Sequence, residues 1–264
     1  MNERGFMADF HGGHENIVLH CHRIPWMYEN PDYDPNDSYH FKYNNPWAVD
    51  MEGHDRDIIE NINKDYGKKD TLYVLGDFAY KNHVKYIHAI KPKIIFIKGN
   101  HDKASQEVYR LFAEVHDFGC DKFIATKEQL PNGKFKKESV TLCHYALRAW
   151  NRSCHGSICL YGHSHGRMPE FDNWVSFGVG LDIWGYTPVN FDVVMEKVRM
   201  IRQRIKELEL NPGDGESRPI GVYDKDPDQR MLDVRAKNKQ IVVSMGLPID
   251  EKMWPTVLYP DQVA

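Results

Sequence analysis

The sequence lacks any long hydrophobic run: its apolar stretches extend over four or five residues, well short of a membrane span. It also lacks a CxxC pair. Its five cysteines (Cys21, Cys120, Cys143, Cys154 and Cys159) are odd in number, which argues against a zinc ribbon or a disulfide scaffold and for buried, reduced thiols. No early segment has the basic, apolar, small-residue order of a secretory signal, so the expected location is cytoplasmic. There is no excess of positive charge either. A net charge of −4 with a pI near 6.4 removes the simplest argument for a nucleic-acid binder, although a local basic groove stays open. Internal repeats and low-complexity tracts are absent. What is present is a 264-residue chain, 41% hydrophobic and 12% aromatic, enough for one large α/β domain or a domain with an appendage.

Short apolar runs at Leu72–Leu75, Ile94–Ile97, Val140–Cys143 and Ile158–Tyr161 have the length and β-branched character of strands covered on both faces. Helical spacing falls between them. Residues 55–64 place Ile58, Ile59 and Ile62 on one face; residues 104–115 place Val108, Leu111, Phe112 and Val115 on another, with Ser105 as a cap. Strands alternating with helices predict an α/β fold. A third helix is expected from Asn190, with Phe191, Val194, Val198, Ile201 and Ile205 in phase, ending near Asn211-Pro212-Gly213. The expected division is therefore a main domain over 1–190 and a C-terminal helix and extension over 191–264, with one strand at Ile241-Val242-Val243. Residues 25–50 form a long loop carrying Trp26, Tyr28, Tyr33, Tyr39, Phe41, Tyr43 and Trp47.

Five polar motifs each follow an apolar run: Asp9-Phe10-His11, Gly76-Asp77, Gly99-Asn100-His101-Asp102, His144, and Gly162-His163-Ser164-His165. Functional groups of α/β sheets gather beyond the carboxyl ends of the strands, so motifs scattered in sequence can converge there. Asp9, His11, Asp77, Asn100, His144, His163 and His165 offer carboxylate, amide and imidazole ligands and no thiolate. That set suits manganese, iron, zinc or nickel better than calcium or a structural zinc. Seven ligands exceed one tetrahedral ion and suit two octahedral ions that share a carboxylate and a water. Each motif alone is weak; their order, each after a strand-like run, is hard to reach by chance.

In that order and spacing the chain resembles the calcineurin-like metallophosphoesterase superfamily over about residues 5–190. Asp9 through Ile17 and His144 through Trp150 are similar to the small bacterial and phage-type members. The resemblance implies two mixed β-sheets sandwiched between helices, a four-layer αββα arrangement. It implies that Asp9, His11 and His165 hold one metal, that Asn100, His144 and His163 hold the other, and that Asp77 bridges. His101 would then face the leaving group as a proton donor, with Asp102 beside it either fixing its tautomer or capping the next helix. His14 and Arg148 are candidate substrate contacts, against the plainer roles of rim packing and solvated arginine. His20, His22, His54, His155 and Asp182 are assigned only surface or packing roles.

Phe78-Ala79-Tyr80 after Asp77, and GNHD rather than GNHE, depart from the protein Ser/Thr phosphatase pattern. Tyr80 matches the spacing of the iron-binding tyrosine of purple acid phosphatases, but the intact His11 argues against that branch. The expected activity is two-metal hydrolysis of a phosphodiester, either a small diester or a cyclic nucleotide, by a metal-bridging hydroxide. Monoester hydrolysis is the alternative, followed by a nuclease. A non-enzymatic scaffold is disfavoured because no ligand is lost. Two divalent ions are the expected cofactors, manganese first, with iron, zinc or nickel as substitutes. The expected partner is a small phosphate ester, with nucleic acid not favoured, no membrane, and a homodimer left open. The rings of residues 25–50 either stack on a nucleobase or pin their loop by packing.

Overall fold

The computed structural model describes residues 2–37, 44–171, 173–210, 212, 219–220 and 226–258. Tyr39, Phe41 and Tyr43 of the aromatic loop lie outside the described residues, as do Asn211 and Gly213. Two mixed sheets organise the chain. Their strands are β1 (Arg4–Met7), β2 (Thr71–Leu75), β3 (Lys93–Ile97), β4 (Glu114–His116), β5 (Gly119–Gln129), β6 (Phe135–Cys143), β7 (Ile158–Tyr161), β8 (Ser176–Gly178) and β9 (Val189–Asn190). The first sheet runs β9-β1-β2-β3-β4, parallel except for the β9 edge; the second runs β8-β7-β6-β5, parallel except for the β5–β6 hairpin. Ala8 stitches the sheets together: its N–H donates to the Val179 carbonyl at 3.1 Å, and its carbonyl accepts from Leu181 N–H at 3.1 Å.

The helices are α1 (Glu15–His20), α2 (Met51–Asp65), α3 (His83–Ala89), α4 (Gln106–Tyr109), α5 (Phe191–Glu207) and α6 (Pro227–Ser244). The α2 helix starts where the Asp50 side chain accepts from Gly53 N–H at 2.8 Å, and it buries Ile58 and Ile62. The α5 helix starts where Asn190 accepts from Asp192 N–H, and Phe191, Val194, Val198 and Ile205 are its buried stripe. Met231, Ile241, Met253 and Trp254 join the same hydrophobic core as the sheet residues Phe6, Leu72 and Phe177. Among the described residues no helix is long and apolar enough to cross a membrane.

Two expectations need correction. The helix expected over 104–115 is a single turn, α4, because the chain must leave it to lay β4 beside β3, pairing Val115 with Phe96. Ser105 precedes that turn without a side-chain cap, and Leu111 is exposed. The strand expected at Ile241-Val242-Val243 is instead the end of α6, capped at its start by Asp226 with Pro227 in the first turn. There the burial of Ile241 against the core outweighs the weak β preference of three branched residues. Of the aromatic loop, Met27–Glu29 and Trp47–Val49 pair as a short antiparallel ribbon. Trp26 is buried against His54 and Tyr186, and its Nε1 donates to Asp57 at 2.9 Å, so this ring pins the loop by packing.

Candidate metal centre

Each motif leaves the end of a strand. Asp9 follows β1, Asp77 follows β2, Asn100 follows β3, His144 follows β6 and His163 follows β7. Since β1, β2 and β3 are parallel, as are β6 and β7, their carboxyl ends open on common edges. Backbone hydrogen bonds lock the turns together: Asp9 N–H to Gly76 O at 3.1 Å, His11 N–H to Asp77 O at 2.9 Å, and Gly162 N–H to His144 O at 3.0 Å. Asp9, His11, Asp77, His163 and His165 all have left-handed backbone, with φ between 49° and 67°. Such conformations cost non-glycine residues on the order of 1–3 kcal/mol each and persist where the surroundings over-determine them, commonly at functional sites.

The seven expected ligands converge as two neighbouring groups. Ligand atoms of Asp9, His11 and His165 lie within 4.8 Å of one another, as do those of Asp77, His144 and His163. Asn100 joins the second group, its Oδ1 standing 3.0 Å from His144 Nε2. Asp77 Oδ2 lies 3.5 Å from His11 Nε2 and 3.5 Å from His144 Nε2, so one carboxylate oxygen faces both groups. Asp9 Oδ2 and His11 Nε2 are buried with no hydrogen-bond partner. Buried polar atoms are rarely left so, and a cation held among Asp9, His11 and His165 would satisfy both. The residues therefore fit a metal ion.

Outer contacts orient these ligands. The Leu75 carbonyl accepts a hydrogen bond from His144 Nδ1–H at 2.8 Å, which turns Nε2 toward the candidate ion site. Asp182 Oδ2 does the same for His165 Nδ1 at 2.6 Å. Asp182 is fully buried and also accepts from Arg23 Nε at 2.8 Å and Nη2 at 3.0 Å, a bidentate fork. The same guanidinium donates to the carbonyls of Asp9 (2.6 Å) and Phe10 (3.0 Å) and meets His54 Nε2 at 2.7 Å. Asp182 and His54 thus do more than pack, and Arg23 was not singled out in the sequence at all. Glycines allow the close approach. A Cβ on Gly99 would sit 2.3 Å from Asp77 Oδ1 and 2.6 Å from Asp77 N. Gly99→Ala should therefore displace the shared carboxylate, and metal content measured by atomic absorption should fall; two retained ions would contradict this.

Charge is distributed accordingly. Burial alone would raise the Asp77 carboxyl, but the hydrogen bond and charge of His144 and the charge of His11 outweigh it and hold it well below its usual range. Burial raises Asp9 and pushes His11 well below its ordinary value, the latter helped by His165 and Arg23. His165 is held well above its ordinary value because Cys21, Asp9 and Asp182 outweigh its burial. The Asp9–His165 pocket thus favours positive charge, and a divalent cation competes with a proton for the same atoms. Cys21, His165 and Asp182 form a third grouping within 4.8 Å. Arg23 and His165 Nδ1 already occupy both Asp182 oxygens, so this grouping backs the first one instead of holding an ion of its own.

The remaining candidates divide. His101 is exposed at the mouth, its N–H donates to Asp77 Oδ1 at 2.9 Å, and its ring centroid is 5.5 Å from that of His11. His14 Nδ1 lies 3.4 Å from His11 Nδ1, so His14 belongs to the site. Asp102 takes neither of its two expected roles. Its oxygens accept backbone N–H groups of Asp77 (2.6 Å), Phe78 (2.9 Å) and Gly99 (2.7 Å), which ties the Gly-Asp turn to the Gly-Asn-His-Asp turn. Arg148 is exposed and lines a separate groove with Leu147, Met168 and Trp174.

Fold and site together define a mixed α/β chain with adjoining histidine–carboxylate groups able to hold metal. No family model matches the chain. It is similar to an uncharacterized protein of Methanocaldococcus jannaschii, 23% identical over 209 residues, a match spanning 74% of this chain and 93% of that one. A solved structure of a protein of unknown function from Aquifex aeolicus is similar at 20% identity and a TM-score of 0.47, covering 75% of this chain and 100% of that one. Neither relative carries a named reaction.

Proposed function

We propose that this chain is a two-metal phosphoric ester hydrolase, acting on diesters before monoesters, on the four-layer αββα scaffold of the calcineurin-like metallophosphoesterases. The observation that carries the reading is Asp77 Oδ2 at 3.5 Å from the Nε2 atoms of both His11 and His144. Asp9, His11 and His165 would hold one ion, Asn100, His144 and His163 the other, and Asp77 both, with manganese first and iron, zinc or nickel as substitutes. Bound there, the ions supply neutralisation of phosphate charge and ionisation of water near neutral pH.

The chain's own residues do the rest. Asn100 ligates without adding negative charge that would repel the substrate. His101, exposed at the mouth with its ring 5.5 Å from that of His11, would supply the proton that the departing alkoxide takes up. Asp102 positions both turns through backbone N–H groups. The exposed faces of the mouth are amide (Asn100) and imidazole (His101, His163), not guanidinium. That suits the single charge of a diester better than the dianion of a monoester.

The test is a substrate panel on manganese-reconstituted protein. Bis-nitrophenyl phosphate and 2′,3′- and 3′,5′-cyclic nucleotides should be cleaved in preference to nitrophenyl phosphate. His101→Asn should cost on the order of a hundredfold with an alkoxide leaving group and far less with nitrophenolate, which needs no proton. Equal losses on both would remove the acid role from His101, and no turnover on any ester would remove the hydrolase reading.

A further inference from the structure

Aromatic side chains flank the two candidate metal groups, one set beside each. On the Asp9–His11 side, Tyr80 is 52% exposed and stacks on His14, with centroids 4.5 Å apart and planes at 14°. His14 in turn lies against His11. On the Asp77–His144–His163 side, the Tyr145 centroid is 5.0 Å from His144 and 4.9 Å from His163. Phe118, 61% exposed, stacks on Tyr145 at 6.3 Å and 29°. Both rings are fixed by backbone: Tyr80 N–H donates to the Gly12 carbonyl at 2.9 Å, and the Phe118 carbonyl accepts from the Cys143 thiol at 3.4 Å.

We infer that these two ring pairs are base-stacking platforms, and that the diester cleaved here links two nucleosides in a short single strand. The inference rests on the hydrolase reading above and names its substrate class. A phosphate at the shared Asp77 carboxylate carries one ester group toward Tyr80 and the other toward Tyr145 and Phe118. Planar groups on both sides of the phosphorus use both platforms, whereas an alkyl ester uses neither. Stacking accepts any base, so little sequence preference is expected. Lys81 Nζ lies 5.4 Å from the Tyr80 centroid on an exposed, four-carbon stem. An incoming base displaces it, and its ammonium then meets the neighbouring phosphate. Trp26 takes no part, since it is buried in loop packing.

The experiment measures binding of fluorescein-labelled, phosphorothioate-linked oligothymidylates of two, four and eight residues to manganese-reconstituted protein by anisotropy. Abasic strands of equal length are the comparison. Base-bearing strands should bind at least tenfold more tightly than abasic ones, with affinity levelling off by four residues. Tyr80→Ala and Phe118→Ala should each lose about tenfold, and Tyr80→Phe and Phe118→Tyr should restore it. Equal binding of base-bearing and abasic strands, or alanine variants that bind like the parent, overturns the inference. Affinity still rising steeply to eight residues also overturns it, because a longer track would then be the site. Cleavage of dimethyl phosphate, which has no ring, reports on the hydrolase reading separately.

Discussion

Asp77→Asn should retain the fold yet bind at most one metal ion per chain, and diester turnover should fall by on the order of a thousandfold, the scale seen when one transition-state charge contact is lost. The reason lies in geometry. Asp77 Oδ2 lies 3.5 Å from candidate ligand nitrogens of both groups, and Oδ1 is already engaged by His101 N–H. An amide can replace the second contact but carries no charge to offset two cations across a shared oxygen. The local backbone should survive, because Asp102 holds Asp77 N–H and Phe78 N–H through its own side chain. Metal content and turnover read the two parts of the prediction, and melting temperature checks the fold. A variant with two ions and parental activity would remove the shared-carboxylate assignment altogether.

Arg23→Met should be the most damaging change remote from the ligands. It removes the fork from a fully buried carboxylate and leaves Asp182 facing only His165. Breaking a buried pair from one side costs about 3–5 kcal/mol, so the melting temperature should drop by on the order of 10 °C. It also frees the carbonyls of Asp9 and Phe10, whose turn carries two ligands. Metal affinity at the Asp9–His11–His165 group should therefore weaken about 10- to 100-fold. Arg23→Lys keeps the charge but not the fork and should fall between the two. Calorimetry and competition with a chelating dye measure the effects separately. A destabilised protein with unchanged metal affinity would make Arg23 a core residue and nothing more.

The strand-end residues were legible in the sequence because a buried parallel strand reads as an unbroken apolar run, and the first polar residues after it mark where the sheet opens. Asp9, Asp77, Asn100, His144 and His163 stand where that logic puts them. Asp182 and Arg23 were not legible: they are 159 positions apart, and neither follows a marked apolar run. Their pairing is a product of tertiary packing, and only a buried arginine with no apparent partner nearby in sequence hints at it. Asp102 was misread for a related reason, since its oxygens serve a turn 24 and 25 residues away. The β5–β6 hairpin was seen only at Val140–Cys143, because Lys134, Lys136 and Lys137 hide the alternation of its outer half. In α6, a branched apolar triplet read as a strand until burial decided otherwise.

The α6 helix also reaches inward. Arg235, 2% exposed, donates to the Asp182 carbonyl at 2.7 Å, and Asn238 donates to the Ile183 carbonyl at 3.0 Å. All seven candidate ligands are encoded before residue 166, yet the loop that backs His165 is held by residues some seventy positions later. The candidate site thus takes its side chains from the first two thirds of the chain and part of its support from the last long helix. A chain ending before α6 would keep every candidate ligand and lose both of these hydrogen bonds to the Asp182–Ile183 backbone.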